Sequence, residues 1–73
     1  MTNIKKIRVT KDYTQIKVFM DTGITQSTLS KYENGTLLPT AANLIKLAAY
    51  YKTSTDYLLG LTDDPTPRPP KTR

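Results

Sequence analysis

Seventy-three residues allow a single small domain, whose core must rely on tight helix packing or a partner because no cysteine is present to staple it. Histidine is absent as well, so the commonest metal ligand and the commonest general base are both missing, which argues against an enzyme and against a bound metal or cofactor. Eleven basic residues against six acidic ones leave a net charge of +5, the sign expected of a domain that meets a polyanion, although charge that merely keeps a protein in solution looks the same.

Apolar residues recur at helical spacing in five segments, separated by turn residues, and no stretch alternates as a strand would. The first segment runs from about Asn3 to Lys11. Ile4 and Ile7 define its inner stripe, and Arg8 and Lys11 complete the pattern. An arginine on that stripe calls for a carboxylate partner. Asp12 follows, a residue that tolerates the left-handed conformation at a helix end. The second segment is capped by Thr14 and reaches Asp21, with Val18 facing inward and Phe19 beside it. Thr22-Gly23-Ile24-Thr25 is a turn, in which Gly23 supplies a positive φ.

Thr25 then caps a third segment, Gln26 to Glu33. On a helical wheel, Leu29 and Tyr32 share one side, with Glu33 at its flank. Ser27, Lys31 and Asn34 share the other, and Gln26 sits at the exposed first turn. Asn34-Gly35 ends this helix, with Asn34 a candidate for the left-handed cap. The fourth segment starts behind Thr40 and carries Ala41, Leu44, Leu47, Ala48 and Tyr51 on its stripe. The fifth is short, Ser54 to about Leu59, capped by Ser54 or Thr55, packed through Tyr57 and Leu58, and stopped by Gly60. From Thr62 to Arg73, four prolines in twelve residues and no other apolar side chain predict a disordered or polyproline-like tail. The domain is therefore expected at residues 1–61 and the tail at 62–73. No apolar run is long enough to span a bilayer, and Met1-Thr2-Asn3 opens no signal core, so the cytoplasm is the expected location.

Two short helices around a glycine turn have the shape of a helix-turn-helix, whose second helix enters the DNA major groove. The stretch Thr14 to Gly35 resembles the phage-repressor and Cro-like family, also called the xenobiotic-response-element family. Thr14-Gln15, Gly23 and Thr25-Gln26-Ser27-Thr28-Leu29-Ser30-Lys31-Tyr32-Glu33-Asn34-Gly35 carry the likeness. Pro39, Leu44 to Ala48, and Asp56-Tyr57-Leu58-Leu59-Gly60 extend it, so that it covers about residues 4 to 61. It implies a five-helix, all-α, lambda-repressor-like domain that binds double-stranded DNA as a dimer, most simply as a repressor on a near-palindromic operator.

The resemblance also assigns residues. Gln26 and Ser27 fall where the family reads base edges; glutamine can bond adenine bidentately, and serine can donate or accept. Lys31, one turn on, reaches either guanine or a phosphate. Gln15 and Asn34 match backbone-gripping positions. Thr25 and Thr28 add hydroxyl contacts to phosphate or a methyl contact to thymine, and Thr25 can equally be only a cap. Arg8 and Glu33 match an internal salt bridge, the pair at which the wheel also arrives.

Three residues depart from the family pattern. Phe19 stands where alanine is usual and should widen the contact between the motif helices or swing outward. Thr22 replaces an aliphatic residue. Lys17 stands where acidic residues are frequent and opposes the helix dipole, unless a phosphate lies nearby. Tyr13, Tyr32, Tyr50, Tyr51 and Tyr57 could stack on bases, but Tyr32, Tyr51 and Tyr57 lie on packing stripes. Leu38, Leu59 and Leu61 are candidates for a weak dimer contact assembled on DNA. The alternative reading is a protein-interaction module or an antitoxin-type component, with the proline tail as ligand for a partner's aromatic groove.

Overall fold

The computed structural model describes residues 2–67. Five helices follow one another: α1 (Ile4–Thr10), α2 (Gln15–Thr22), α3 (Gln26–Glu33), α4 (Ala41–Tyr51) and α5 (Thr55–Leu59). No strand occurs among the described residues. The fold is the all-α one that the periodicity predicts.

Local chemistry sets most of the boundaries. Thr14, Thr25, Thr40 and Ser54 each accept a hydrogen bond from the backbone N–H three residues on, satisfying a donor that the helix start leaves free. In α5 the cap is thus Ser54 and not Thr55. Asp12, Gly23 and Gly60 take the left-handed conformation that closes a helix or turn. Asn34 does not. Its φ is −93°, and Gly35 takes the positive φ of 82° instead. Where both residues of an Asn-Gly pair tolerate that conformation, the one without a Cβ adopts it at least cost. α2 runs one residue beyond Asp21, because the Thr22 hydroxyl donates to the Val18 carbonyl (2.7 Å) while accepting from Ile24 N–H (3.2 Å). A threonine at this departure from the family pattern therefore locks the turn.

The core forms where the inner stripes meet. Ile4, Val18, Leu29, Leu47, Tyr51 and Leu58 have no exposed surface, and Ile24 is buried in the turn between α2 and α3. Burial of this kind supplies most of the folding free energy. Ala41, expected on the α4 stripe, is exposed at the first turn of that helix, and Lys11 is exposed beyond the end of α1. Phe19 is 39% exposed and is not part of the buried core.

The tyrosines divide into two groups. Tyr32, Tyr51 and Tyr57 are buried. Tyr13 and Tyr50 pack beside Tyr51, with ring centroids 5.2 to 6.3 Å apart. Lys17 lies 5.2 Å from the centre of the Tyr13 ring and 3.0 Å from the Asp21 carboxylate, which also accepts from the Tyr50 hydroxyl. Lys17 thus helps to join α2 to the tyrosine cluster. The Tyr50 hydroxyl, followed by Lys17, holds the Asp21 carboxyl below its ordinary pKa. Burial pushes the Tyr51 hydroxyl above its ordinary value, helped by the negative charge of Glu33.

Residues 62–67 carry no helix or strand but touch the body. Thr53, itself buried, donates its hydroxyl to the Pro65 carbonyl at 2.6 Å, and the Asn3 amide donates to the carbonyls of Tyr57 (2.8 Å) and Thr62 (3.4 Å). The remainder of the expected tail, residues 68–73, lies outside the described residues.

Candidate nucleic-acid interface

The site is built on α3. Leu29 and Tyr32 fix its inner face in the core, and the Tyr32 hydroxyl accepts from the Asn43 amide (2.8 Å), which ties α3 to α4. Because these two residues hold one side of the helix, the opposite side must face solvent. Gln26, Ser27, Ser30, Lys31 and Asn34 are all exposed there. The side chains of Gln26, Ser27 and Lys31 have no hydrogen-bond partner among the described residues. They form a polar strip free to engage a ligand, carrying amide, hydroxyl and ammonium groups. Ser30 joins this strip. Sequence reasoning passed it over, although it stands one turn after Gln26.

Thr25 and Thr28 are less equal than their chemistry suggests. The Thr25 hydroxyl accepts from Thr28 N–H (3.2 Å) and donates to Thr28 Oγ1 (2.9 Å), so its one proton is used within the protein. Thr28 accepts that bond and keeps its own hydroxyl proton. Thr25 is a cap, and Thr28 retains a donor.

Behind the strip lies a charged network. Arg8 donates through Nε to Glu33 Oε2 (2.7 Å) and through Nη2 to Glu33 Oε1 (3.0 Å), while Nη1 donates to the Tyr13 carbonyl (2.8 Å). The pair is forked, and its side chains are 14% and 4% exposed. The hydrogen bond to Glu33 raises the Arg8 pKa further above its ordinary value. Gln15 joins from the start of α2: its Nε2 donates to Glu33 Oε1 (3.1 Å), and its Oε1 accepts from the Ser30 hydroxyl (3.3 Å). One network thus links α1, the first turn of α2 and the last turn of α3, and it sets the angle at which the exposed strip is presented. Asn34, just past α3, accepts from Thr36 N–H through Oδ1 (3.0 Å).

These are the parts of a helix-turn-helix: a first helix, a turn built on Gly23, and a second helix with one face buried and one presented. A family profile described as Helix-turn-helix matches residues 4–58, three-quarters of the chain. This chain belongs to the Cro/repressor-type helix-turn-helix family. Helix-turn-helix domains of this family bind DNA.

A relative in Bacillus subtilis (strain 168), the uncharacterized HTH-type transcriptional regulator YobD, is 35% identical over 65 residues, which is 89% of this chain and 58% of the relative. The chain therefore spans little more than half of that protein's length. No solved structure matches the chain. Among the described residues, no helix is long and apolar enough to cross a membrane.

Proposed function

We propose that this helix-turn-helix domain reads double-stranded DNA by sequence and acts as a transcriptional regulator, as a repressor in the simplest case, without chemistry of its own. One observation carries the reading: the unpartnered strip Gln26, Ser27 and Lys31 stands on a helix whose other face is fixed by Leu29 and Tyr32. A module that had lost DNA binding would have no need of that strip. In this reading Gln26 and Ser27 meet base edges, and Lys31 meets guanine or a phosphate. Gln15, Thr28 and Asn34 grip the backbone, while Thr25 holds the helix start.

The operator is near-palindromic, with half-sites about one helical turn, roughly 34 Å, apart. Leu38 and Leu61 are 68% and 73% exposed and supply apolar surface for a second copy, with Leu59 half-buried two residues before Leu61. So small a surface favours a dimer that assembles on DNA. A DNA partner also places the work in the cytoplasm.

Selection from a random duplex pool tests the reading. At about 50 mM salt both specific and non-specific binding are retained, whereas near 150 mM the purely electrostatic part is strongly weakened. A two-fold-related motif that survives the higher salt is the expected result. Binding that is lost at 150 mM with no enriched motif would refute sequence-specific reading and direct attention to a protein partner.

A further inference from the structure

A cleft of about 270 Å³ opens where the ends of α1 and α4 meet α5 and the chain that follows it. Ile7, Tyr51, Tyr57 and Pro65 give it apolar walls, and Lys11 and Lys52 also line it. No residue of α3 does, so the cleft is separate from the polar strip. We propose that it binds a small aromatic carboxylate: the walls take the ring, and the Tyr57 hydroxyl and the two ammonium groups take the carboxylate.

Three observations select that ligand. The first is an unspent donor. Tyr57 is only 4% exposed, yet its hydroxyl has no hydrogen-bond partner among the described residues. A buried phenol normally finds one. The second is charge. Lys11 and Lys52 are exposed and form no ion pair among the described residues, none of whose carboxylates lines the cleft. Each lysine caps a helix C-terminus, where the dipole places roughly half a negative charge. Two full positive charges outweigh two half charges and leave the cleft attractive to a monoanion. The third is room. A cavity of about 150 Å³ already holds a benzene ring, so this cleft accommodates one ring or two fused ones. Its outer wall is held in place, because Thr53 Oγ1 donates to the Pro65 carbonyl (2.6 Å) and Asp64 Oδ1 accepts from Thr66 N–H (3.0 Å). Apolar walls with a few convergent polar groups suit a small organic ligand, whereas a bare phosphate would leave those walls unused.

The probe is 2-naphthoate, titrated into the full chain and followed by backbone amide shifts, with 2-naphthalenemethanol as the neutral control. Saturable one-to-one binding is expected, with shifts centred on Lys11, Lys52, Tyr57 and Thr66. Tyr57→Phe removes a hydroxyl that no described residue uses, so it should melt like the wild type but bind naphthoate about tenfold more weakly or worse, the value of a hydrogen bond to a charged group. The exposed double replacement Lys11→Gln, Lys52→Gln should abolish the preference for the acid over the alcohol. Lys6→Gln, on α1 but outside the cleft, should leave that preference intact. Equal affinity for acid and alcohol, or naphthoate binding untouched by Tyr57→Phe or by the lysine pair, would overturn the proposal. So would shifts that spread without saturation. Cleft shifts that follow protein concentration instead of naphthoate would assign the surface to a second copy of the chain and overturn it equally.

Discussion

Replacing Glu33 by alanine is expected to lower the stability of the fold by about 3 kcal/mol, the low end of the range for breaking a buried ion pair. The low end applies because the Arg8 side chain keeps 14% of its exposure, so its orphaned charge retains some access to water. Arg8 would also keep its bond to the Tyr13 carbonyl, but Gln15 would lose its acceptor. For a domain of this size, the loss corresponds to a melting temperature roughly 12–24 °C lower. Thermal melts by circular dichroism would measure it. The double replacement Arg8→Met, Glu33→Leu should recover most of the loss, because an apolar pair of similar volume carries no desolvation cost. A Glu33→Ala protein that melts within about 2 °C of the wild type would mean that the fork is a surface ion pair of little worth.

Gln26→Ala should act in the opposite way, leaving the fold alone and damaging recognition. Gln26 is exposed at the first turn of α3 and makes no side-chain hydrogen bond within the protein, so stability should change by no more than about 0.5 kcal/mol. A bidentate contact from glutamine to adenine is worth about 1–3 kcal/mol of discrimination, or roughly 5- to 150-fold. Affinity per half-site should fall within that range, so a duplex with both half-sites loses about twice that free energy, and the preference should relax at one position in each half-site. Fluorescence anisotropy on single-base variants of the duplex would show this. Equal weakening on every variant would move Gln26 from the bases to the backbone.

Comparing sequence with structure shows which physics is local. Thr14, Thr25, Thr40 and Ser54 announce helix starts because the cap bond spans three residues. Leu29 and Tyr32 announce the buried face of α3 because helical period alone places them together. The Arg8–Glu33 pair was legible because a charge on an apolar stripe demands its opposite. What was not legible depends on distant segments meeting. Nothing near Lys5 in the chain indicates that Gln15 and Asn34 will share a cleft with it. The bond from Thr53 to the Pro65 carbonyl likewise depends on the chain after α5 returning over the body. The choice between Asn34 and Gly35 for the left-handed position was a competition between neighbours, which composition alone does not settle.

The central claim is that DNA meets the exposed strip of α3. Backbone amide shifts by NMR, recorded while a selected duplex is titrated in near 150 mM salt, test it most directly. The largest changes are expected at Gln26, Ser27 and Lys31, with secondary changes at Gln15 and Asn34. Changes concentrated instead on the exposed apolar residues Ile16, Phe19 and Met20 of α2, with the α3 strip silent, would contradict it.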